Sequence, residues 1–276
     1  IVRSQTEGNP VEYPRLYRAS APVCIVLLAV LALLFPGSAE AQIRLDVEGG
    51  LAFSGYNEVQ VPRDTGTRFS LSEDLEVDRS GFVRLRVEWD LNARHTLGLL
   101  YAPLTLDASG SVGTPLTFEG ITFPAGTPLR GEYTFNSYRL TWRYNLRTSE
   151  GFRAGLGFTA KIRDAAIRVE GGGLESEKTN VGFVPLLHFL TAWELVDTLE
   201  LLITGDALAA PQGRAEDVFA GIKIRSGGQP FSGLLPSTAT VDYRLGYRIV
   251  EGGADVDEVY NFALIHYASF AVRIGF

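Results

Sequence analysis

The stretch Phe82-Val-Arg-Leu-Arg-Val-Glu-Trp-Asp90 alternates strictly between apolar and charged residues. Successive side chains of an extended chain point to opposite faces, so Val83 and Trp89 share an apolar face while Arg84 and Glu88 share a charged one. The period predicts a β-strand. It leaves open whether the charged face meets bulk solvent or the inside of a barrel.

The same period recurs along most of the chain, and few stretches have a helical period. Short links occur at 90–94, 147–151 and 196–198, and longer polar ones at 61–80, 110–130, 171–180 and 251–258. Short turns on one side and longer loops on the other are typical of barrels that span an outer membrane. We predict ten strands: 43–60, 81–90, 95–109, 131–147, 152–170, 181–195, 199–210, 216–226, 238–251 and 259–276.

The N-terminal region has the pattern of a secretory signal. Arg15 and Arg18 precede an apolar run over 23–35, and Ala39-Glu40-Ala41 follows it as a small-residue cleavage site. The run is shorter than the roughly 20 residues that a spanning helix needs. We therefore predict a cleaved signal peptide over 1–41 and one domain over 42–276, with an uncleaved anchor as the alternative.

Composition narrows the function classes. The formal net charge of −7 disfavours nucleic acid as a partner. The only cysteine, Cys24, lies at the start of the apolar run, so the chain from Gln42 onward has no disulfide or thiol chemistry. We expect no cofactor.

The charged face of the predicted strands is rich in arginine, and it carries more cations than acids. A closed barrel would place this face in its lumen, where the charges need partners. The predicted lumen network comprises Arg84, Arg86, Glu88, Arg139, Arg143, Arg163, Asp206, Asp242, Arg244, Arg248 and Arg273.

Aromatic residues on the apolar face favour lipid outside. Trp and Tyr prefer the interface of a membrane, because their rings are apolar and their N–H or O–H groups seek water. All three tryptophans come just before a short link, which predicts a girdle at one end of the molecule. Its members are Trp89, Trp142, Tyr144, Trp193 and Phe276.

With a signal peptide, unequal connections and an amphipathic last strand carrying Tyr267 and Phe276, the chain resembles the small outer-membrane β-barrel proteins of diderm bacteria. The resemblance is one of pattern over the whole segment 42–276. It implies an all-β fold, a closed antiparallel up-and-down transmembrane barrel of about ten strands, with eight or twelve as alternatives. It also implies an outer-membrane location, contact with lipid and lipopolysaccharide, and recognition of the last strand by the barrel-assembly machinery.

Two irregularities interrupt the alternation. The apolar parity switches over Asp164–Val169, which suggests a bulge near Ala165-Ala166, and Tyr133 is out of phase with Tyr138. Pro185 removes one backbone donor, so its position is strained or lies at a bulge.

The pattern predicts two functions of different classes. The first is a structural or narrow porin-like barrel, with weak anion preference because the inner face is net positive. The alternative is an outer-membrane enzyme, a lipid A-modifying hydrolase or omptin-like protease, with its site at the extracellular rim. Asp255, Asp257 and Glu258 supply acids there, for catalysis or for a cation such as Ca²⁺.

Overall fold

The computed structural model describes residues 42–149, 151–226 and 235–276. The predicted signal peptide over 1–41 lies outside these residues, as does most of the link between the eighth and ninth predicted strands. Among the described residues, no helix has the length and the apolar character needed to cross a membrane.

Fifteen strands account for most of the described chain. Strand β1 (Gln42–Gln60) is followed by two short strands and by the long alternating stretch in β4. The others are β2 (Phe69–Ser70), β3 (Leu75–Val77), β4 (Ser80–Asp90), β5 (His95–Ala102), β6 (Thr105–Ser111), β7 (Leu116–Phe118), β8 (Ile121–Phe123), β9 (Pro128–Ser149), β10 (Phe152–Gly171), β11 (Leu174–Val196), β12 (Leu199–Ala210), β13 (Gly213–Arg225), β14 (Thr240–Val256) and β15 (Val259–Gly275).

Ten of these strands form a closed antiparallel ring. Neighbours in the ring are hydrogen-bonded in the order β1, β4, β5, β9, β10, β11, β12, β13, β14 and β15, and β15 pairs again with β1. The amide of Phe276 donates to the carbonyl of Ile43 at 2.9 Å beside this closing seam. Where all the strands of a ring are paired, the sheet has no free edge. The closed pairing confirms the predicted ten-stranded barrel.

The two ends of the ring differ. We call the end that holds Gln42, Gly275 and the short links at 91–94 and 197–198 the terminal rim. The opposite end, which holds the long connections 61–79 and 103–127, is the distal rim. Strands β2, β3, β6, β7 and β8 belong to these long connections.

The long loops predicted at 171–180 and 251–258 are wrong. Strands β10 and β11 continue to a two-residue turn at Gly172 and Gly173, both with positive φ, and β14 and β15 meet at the turn 257–258. Positive φ costs glycine little, which explains why this hairpin can be so tight. The acids Glu175 and Glu177 of the first segment lie on the outer face of β11.

The predicted bulge near Ala165-Ala166 is also wrong. Strand β10 pairs with β9 and β11 without a register shift between Gly155 and Glu170. Lys161 and Val169 both point inward, so the same set of alternate residues faces the lumen along the whole stretch. The sequence pattern switches because the lumen itself changes from charged to apolar. The interior is charged toward the terminal rim and apolar toward the distal rim. The observed register shifts lie at 54–56, 154–155 and 194–196.

Pro185 is not at a bulge either. It lies on β11 two residues beyond Leu187, the last β11 residue that pairs with β12. Toward the distal rim, β11 pairs only with β10. Proline is tolerated on such an edge because a missing N–H there breaks no ladder, and it also blocks the addition of a further strand.

The distal half of the barrel holds the main apolar core. The β7–β8 hairpin contributes Leu116, Phe118 and Phe123, all fully buried, and Phe118 meets Phe69 edge-on at 6.1 Å. Leu106 of the connecting strand β6 and Val169, an inward residue of the ring strand β10, help to complete the core. The Ser176 hydroxyl donates to the carbonyl of Phe118 at 3.1 Å and ties the hairpin to β11.

We expect Phe118→Ala to loosen this distal core. Truncating a buried phenylalanine costs about 3–5 kcal/mol, which raises the population of opened distal segments by at least about a hundredfold. Limited trypsin digestion at the exposed Arg79 measures this opening. The matched control is Ile121→Ala on the exposed side of the same hairpin, and equal cleavage of the two variants would contradict the assignment.

Candidate functional site: a charged layer across the lumen

Buried ion pairs cross the middle of the barrel. Asp217 of β13 stands at their centre, where it accepts a hydrogen bond from Arg84 at 2.7 Å and one from Arg248 at 2.5 Å. Arg139 is ion-paired with the same carboxylate at 2.6 Å. All four side chains are buried, so one acid of β13 holds three arginines from β4, β9 and β14.

Two further acids of the layer, Asp46 and Glu48, lie on β1. Glu48 accepts two hydrogen bonds from Arg248, at 2.9 and 2.8 Å, and one from the Ser269 hydroxyl at 2.7 Å. Asp46 accepts from Arg244 at 2.5 Å and from Arg273 at 3.2 Å. The fork of an arginine matches both oxygens of a carboxylate, which gives such pairs strength and fixed geometry.

His188 joins the layer through Asp206. Its Nδ1 lies 2.8 Å from Asp206 Oδ1, which also accepts from the Thr159 hydroxyl at 2.7 Å, while Arg139 donates to the other oxygen at 2.7 Å. The arrangement resembles the histidine and acid of a catalytic couple. His188 is buried in a packed lumen, however, so the contact orders the layer.

Most of the predicted lumen network is brought together by the structure. Glu88 lies 3.3 Å from both Arg143 and Arg273, and Asp242 lies 3.8 Å from Lys223. Two predicted members differ. Arg163 lies nearer the distal rim and contacts Asn180, and Arg86 lines a cavity with no acid of the described chain within 4 Å.

Sequence reasoning missed Asp217 and Phe219. Both share the inward parity of Lys223, so alternation along β13 could have found them. Phe219 is fully buried and lies between the guanidinium groups of Arg244 and Arg248, at 5.2 and 5.3 Å from its ring centroid. The ring separates the two cations and is attracted to both.

A vestibule opens below the layer at the terminal rim. Two cavities of about 190 and 510 Å³ share Gln42, Arg44, Arg143, Arg153 and Leu190. Their lining carries more arginines than acids. Glu200 accepts from Arg153 at 2.6 Å and so neutralises part of this charge.

The outer face of the same strands is apolar. The tryptophans Trp89, Trp142 and Trp193 are all exposed there, and Trp142 Nε1 donates to His95 Nδ1 at 3.2 Å. Tyr144 packs edge-on against His95 at 5.2 Å, and Phe276 is half-buried beside the closing seam. Other outward residues include Val47, Leu51, Leu99, Leu140, Leu156, Phe158, Leu245 and Phe270.

A closed ring of alternating strands with an apolar outer belt satisfies every requirement for crossing a bilayer with strands. The chain has the fold of a bacterial outer-membrane β-barrel protein. His266 marks a boundary of the belt, since it lies on the outer face, stacks on Phe53 at 5.4 Å and shares a 2.6 Å hydrogen bond with the Tyr247 hydroxyl.

Solved structures with a similar arrangement are bacterial outer-membrane barrels. The outer membrane protease OmpT from Escherichia coli is 11% identical, over 88% of this chain and 98% of that chain, with a TM-score of 0.46. The attachment invasion locus protein Ail of Yersinia pestis is 9% identical, over 85% and 99%, with a TM-score of 0.36.

Neisserial surface protein A is 12% identical, over 87% of this chain and 99% of that chain, with a TM-score of 0.32. No protein-family model and no curated protein sequence matches this chain. At these identities, the likeness transfers no activity.

The predicted rim acids do not meet a histidine. Asp255 forms an ion pair with Arg63 at 2.8 Å, and Asp257 and Glu258 form the turn between β14 and β15. No group of three metal-binding side chains occurs in the described ranges. His95 and His266 lie on the outer belt, and His188 lies in the charged layer.

Above the belt, the outer face of the distal half carries its own polar cluster. Glu58 accepts hydrogen bonds from Arg68 and, at 3.0 Å, from the Tyr260 hydroxyl. The Arg68 guanidinium also lies 4.2 Å from the Tyr260 ring centroid. The bond from Arg68, followed by that from Tyr260, lowers the pKa of Glu58.

We expect Asp217→Asn to be strongly destabilising. The variant keeps the shape of the side chain but leaves three buried arginines short of a carboxylate, which costs about 3–5 kcal/mol. The free energy of unfolding in lipid vesicles, measured by urea titration, tests this. Glu216→Gln, the neighbouring residue on the outer face, is the control and should stay within about 0.5 kcal/mol of the wild type. A similarly small effect of Asp217→Asn would refute the central role of this acid.

Arg68→Ala should raise the pKa of Glu58 toward its ordinary value. A carboxyl whose pKa is lowered by folding stabilises the fold above its unfolded pKa of about 4.3. That contribution disappears as the pH falls through the lower folded value. Carboxyl-carbon NMR titration measures the shift, with Arg94→Ala at the terminal rim as the control. An unchanged Glu58 pKa in Arg68→Ala would exclude the proposed cause.

Proposed function

We propose that this protein is a sealed barrel of the bacterial outer membrane, a structural frame that holds its distal half at the membrane surface and does not conduct solutes. The observation that supports this most is the charged layer centred on Asp217, whose acids and arginines are buried and paired across the lumen. A ten-stranded barrel is narrow enough for side chains to fill it.

Two different sets of side chains fill the lumen, one after the other along the barrel axis. The charged layer occupies the middle, and the apolar core of the distal half covers part of its upper side. The cavities at the terminal rim share no lining residue, within the described chain, with the cavity of about 460 Å³ in the distal half. Each arginine of the layer would have to lose its partners before an ion could pass.

The proposed orientation places the terminal rim in the periplasm and the distal rim outside. Short turns face the periplasm and long connections face outward in barrels of this kind. Lipid and lipopolysaccharide would then contact the outer belt, and the barrel-assembly machinery would recognise the last strand. Export by a signal peptide over 1–41 belongs to the same proposal.

The two other functions predicted from the pattern have less support. An anion-preferring channel would use the excess arginines, but those of the layer are already paired with Asp46, Glu48 and Asp217. A rim enzyme would need a base near Asp255, whose observed partner is Arg63. The structural function therefore requires the fewest rearrangements.

We expect the folded protein to give no steady ohmic current in a planar bilayer. Heat-modifiable mobility of protein recovered from the same vesicles reports whether the barrel was folded and inserted. The absence of current from correctly folded protein supports the sealed barrel. A reproducible ohmic current that favours anions would overturn it and establish the narrow channel.

A further inference from the structure

The barrel wall is open on one side of its distal half. Strands β11 and β12 pair from Val196 with Leu199 up to Leu187 with Ala207, and not beyond. From there β11 continues to Leu174 beside β10, whereas β12 ends at Ala210. The β12–β13 hairpin thus extends less far toward the distal rim than the β10–β11 hairpin beside it, and this leaves a notch in the wall.

A cavity of about 460 Å³ lies behind this notch. Its lining is mainly apolar, with Phe135, Ile167, Leu208, Val250 and Ile265 on five different strands. The volume falls within the roughly 300–1,000 Å³ of small-molecule sites. That space accommodates one alkyl chain.

The notch begins at the level of the apolar belt. Val181 and Phe183, on the unpaired part of β11, are 69% and 68% exposed, and Leu187 at the last pair is 56% exposed. On the neighbouring β10, the partner of Val181 is Asp164, which accepts a hydrogen bond from Asn136 at 3.2 Å. The apolar surface below Asp164 therefore leads sideways from the membrane into the cavity.

Two cations face this cavity from β10. Lys161 is only 4% exposed and lies 4.7 Å from the centroid of the Phe135 ring. Arg163 contacts the Asn180 side chain, and its buried Nε has no hydrogen-bond partner. No carboxylate of the described chain lies within 4 Å of either cation.

The acids that line the cavity are elsewhere. Glu251 accepts hydrogen bonds from Arg214 and Tyr56, and Glu258 lies at the tip of the β14–β15 hairpin. An anionic group placed beside Lys161 and Arg163 would supply the charge that these two residues lack, and an apolar chain would fill the remaining space.

We propose that this cavity binds one fatty-acid molecule, with its carboxylate at Lys161 and Arg163 and its chain in the apolar part that opens between β11 and β12. The carboxylate matches the two cations, and the single chain matches the volume. The inference is independent of whether the barrel conducts. A strand of another protein fits the notch poorly, because Pro185 interrupts the free edge of β11.

Native mass spectrometry of the folded protein in a non-ionic detergent tests this with sodium dodecanoate as the probe. We expect one dodecanoate per chain, bound at least about tenfold more tightly than dodecyltrimethylammonium, which has the same chain and the opposite charge. The double variant Lys161→Gln with Arg163→Gln should weaken dodecanoate binding at least about tenfold. Ala215→Phe, which fills the cavity without changing its charge, should weaken it as well.

The control is Arg63→Gln with Arg68→Gln, which removes two cations from the outer face and should leave binding within about twofold of the wild type. Heat-modifiable mobility reports whether each variant is folded. The proposal is overturned if wild-type protein binds both probes equally. It is also overturned if the folded cavity variants bind dodecanoate as tightly as the control.

Discussion

The charged layer in the middle of the lumen depends on the requirement that a buried charge have a partner. An arginine buried inside a narrow barrel loses its hydration, and a carboxylate in hydrogen-bonding range compensates for that loss. Asp217 meets this requirement for Arg84, Arg139 and Arg248 together. Since a slip of one residue would turn a whole strand's charges onto the apolar outer face, these pairs also fix the register of the strands that carry them.

The same strands change their interior along the axis. Toward the terminal rim the inward residues are charged and the outward ones are apolar. Toward the distal rim the outward residues become polar, and the inward ones, such as Ile167 and Val169, pack against the β7–β8 hairpin. This exchange of faces explains how β10 can keep a constant register between Gly155 and Glu170 while its sequence pattern inverts.

The alternation of apolar and polar residues was enough to predict the barrel, because all ten ring strands cross the apolar belt and alternate regularly there. It failed where strands leave the belt. The segment 171–180 reads as a polar loop because its glycines form a tight turn and its acids are the outer face of β11. The partners in the charged layer were also beyond reach, since Arg84 and Asp217 are 133 residues apart, and Arg248 and Glu48 are 200 apart. Parity tells which face a residue takes but not which residue lies across the lumen.

In the proposed sealed barrel, the middle of the lumen is closed to water. The chain from Gln42 onward contains no cysteine, so a single cysteine can report access at any chosen depth. Ala271 points inward beside Glu48 and is 1% exposed, whereas Thr240 lines the open vestibule. With a water-soluble thiol reagent, Ala271→Cys should stay unmodified in the folded barrel while Thr240→Cys reacts. Equal reaction of the two would show that the lumen is wet through its middle and would contradict the sealed barrel.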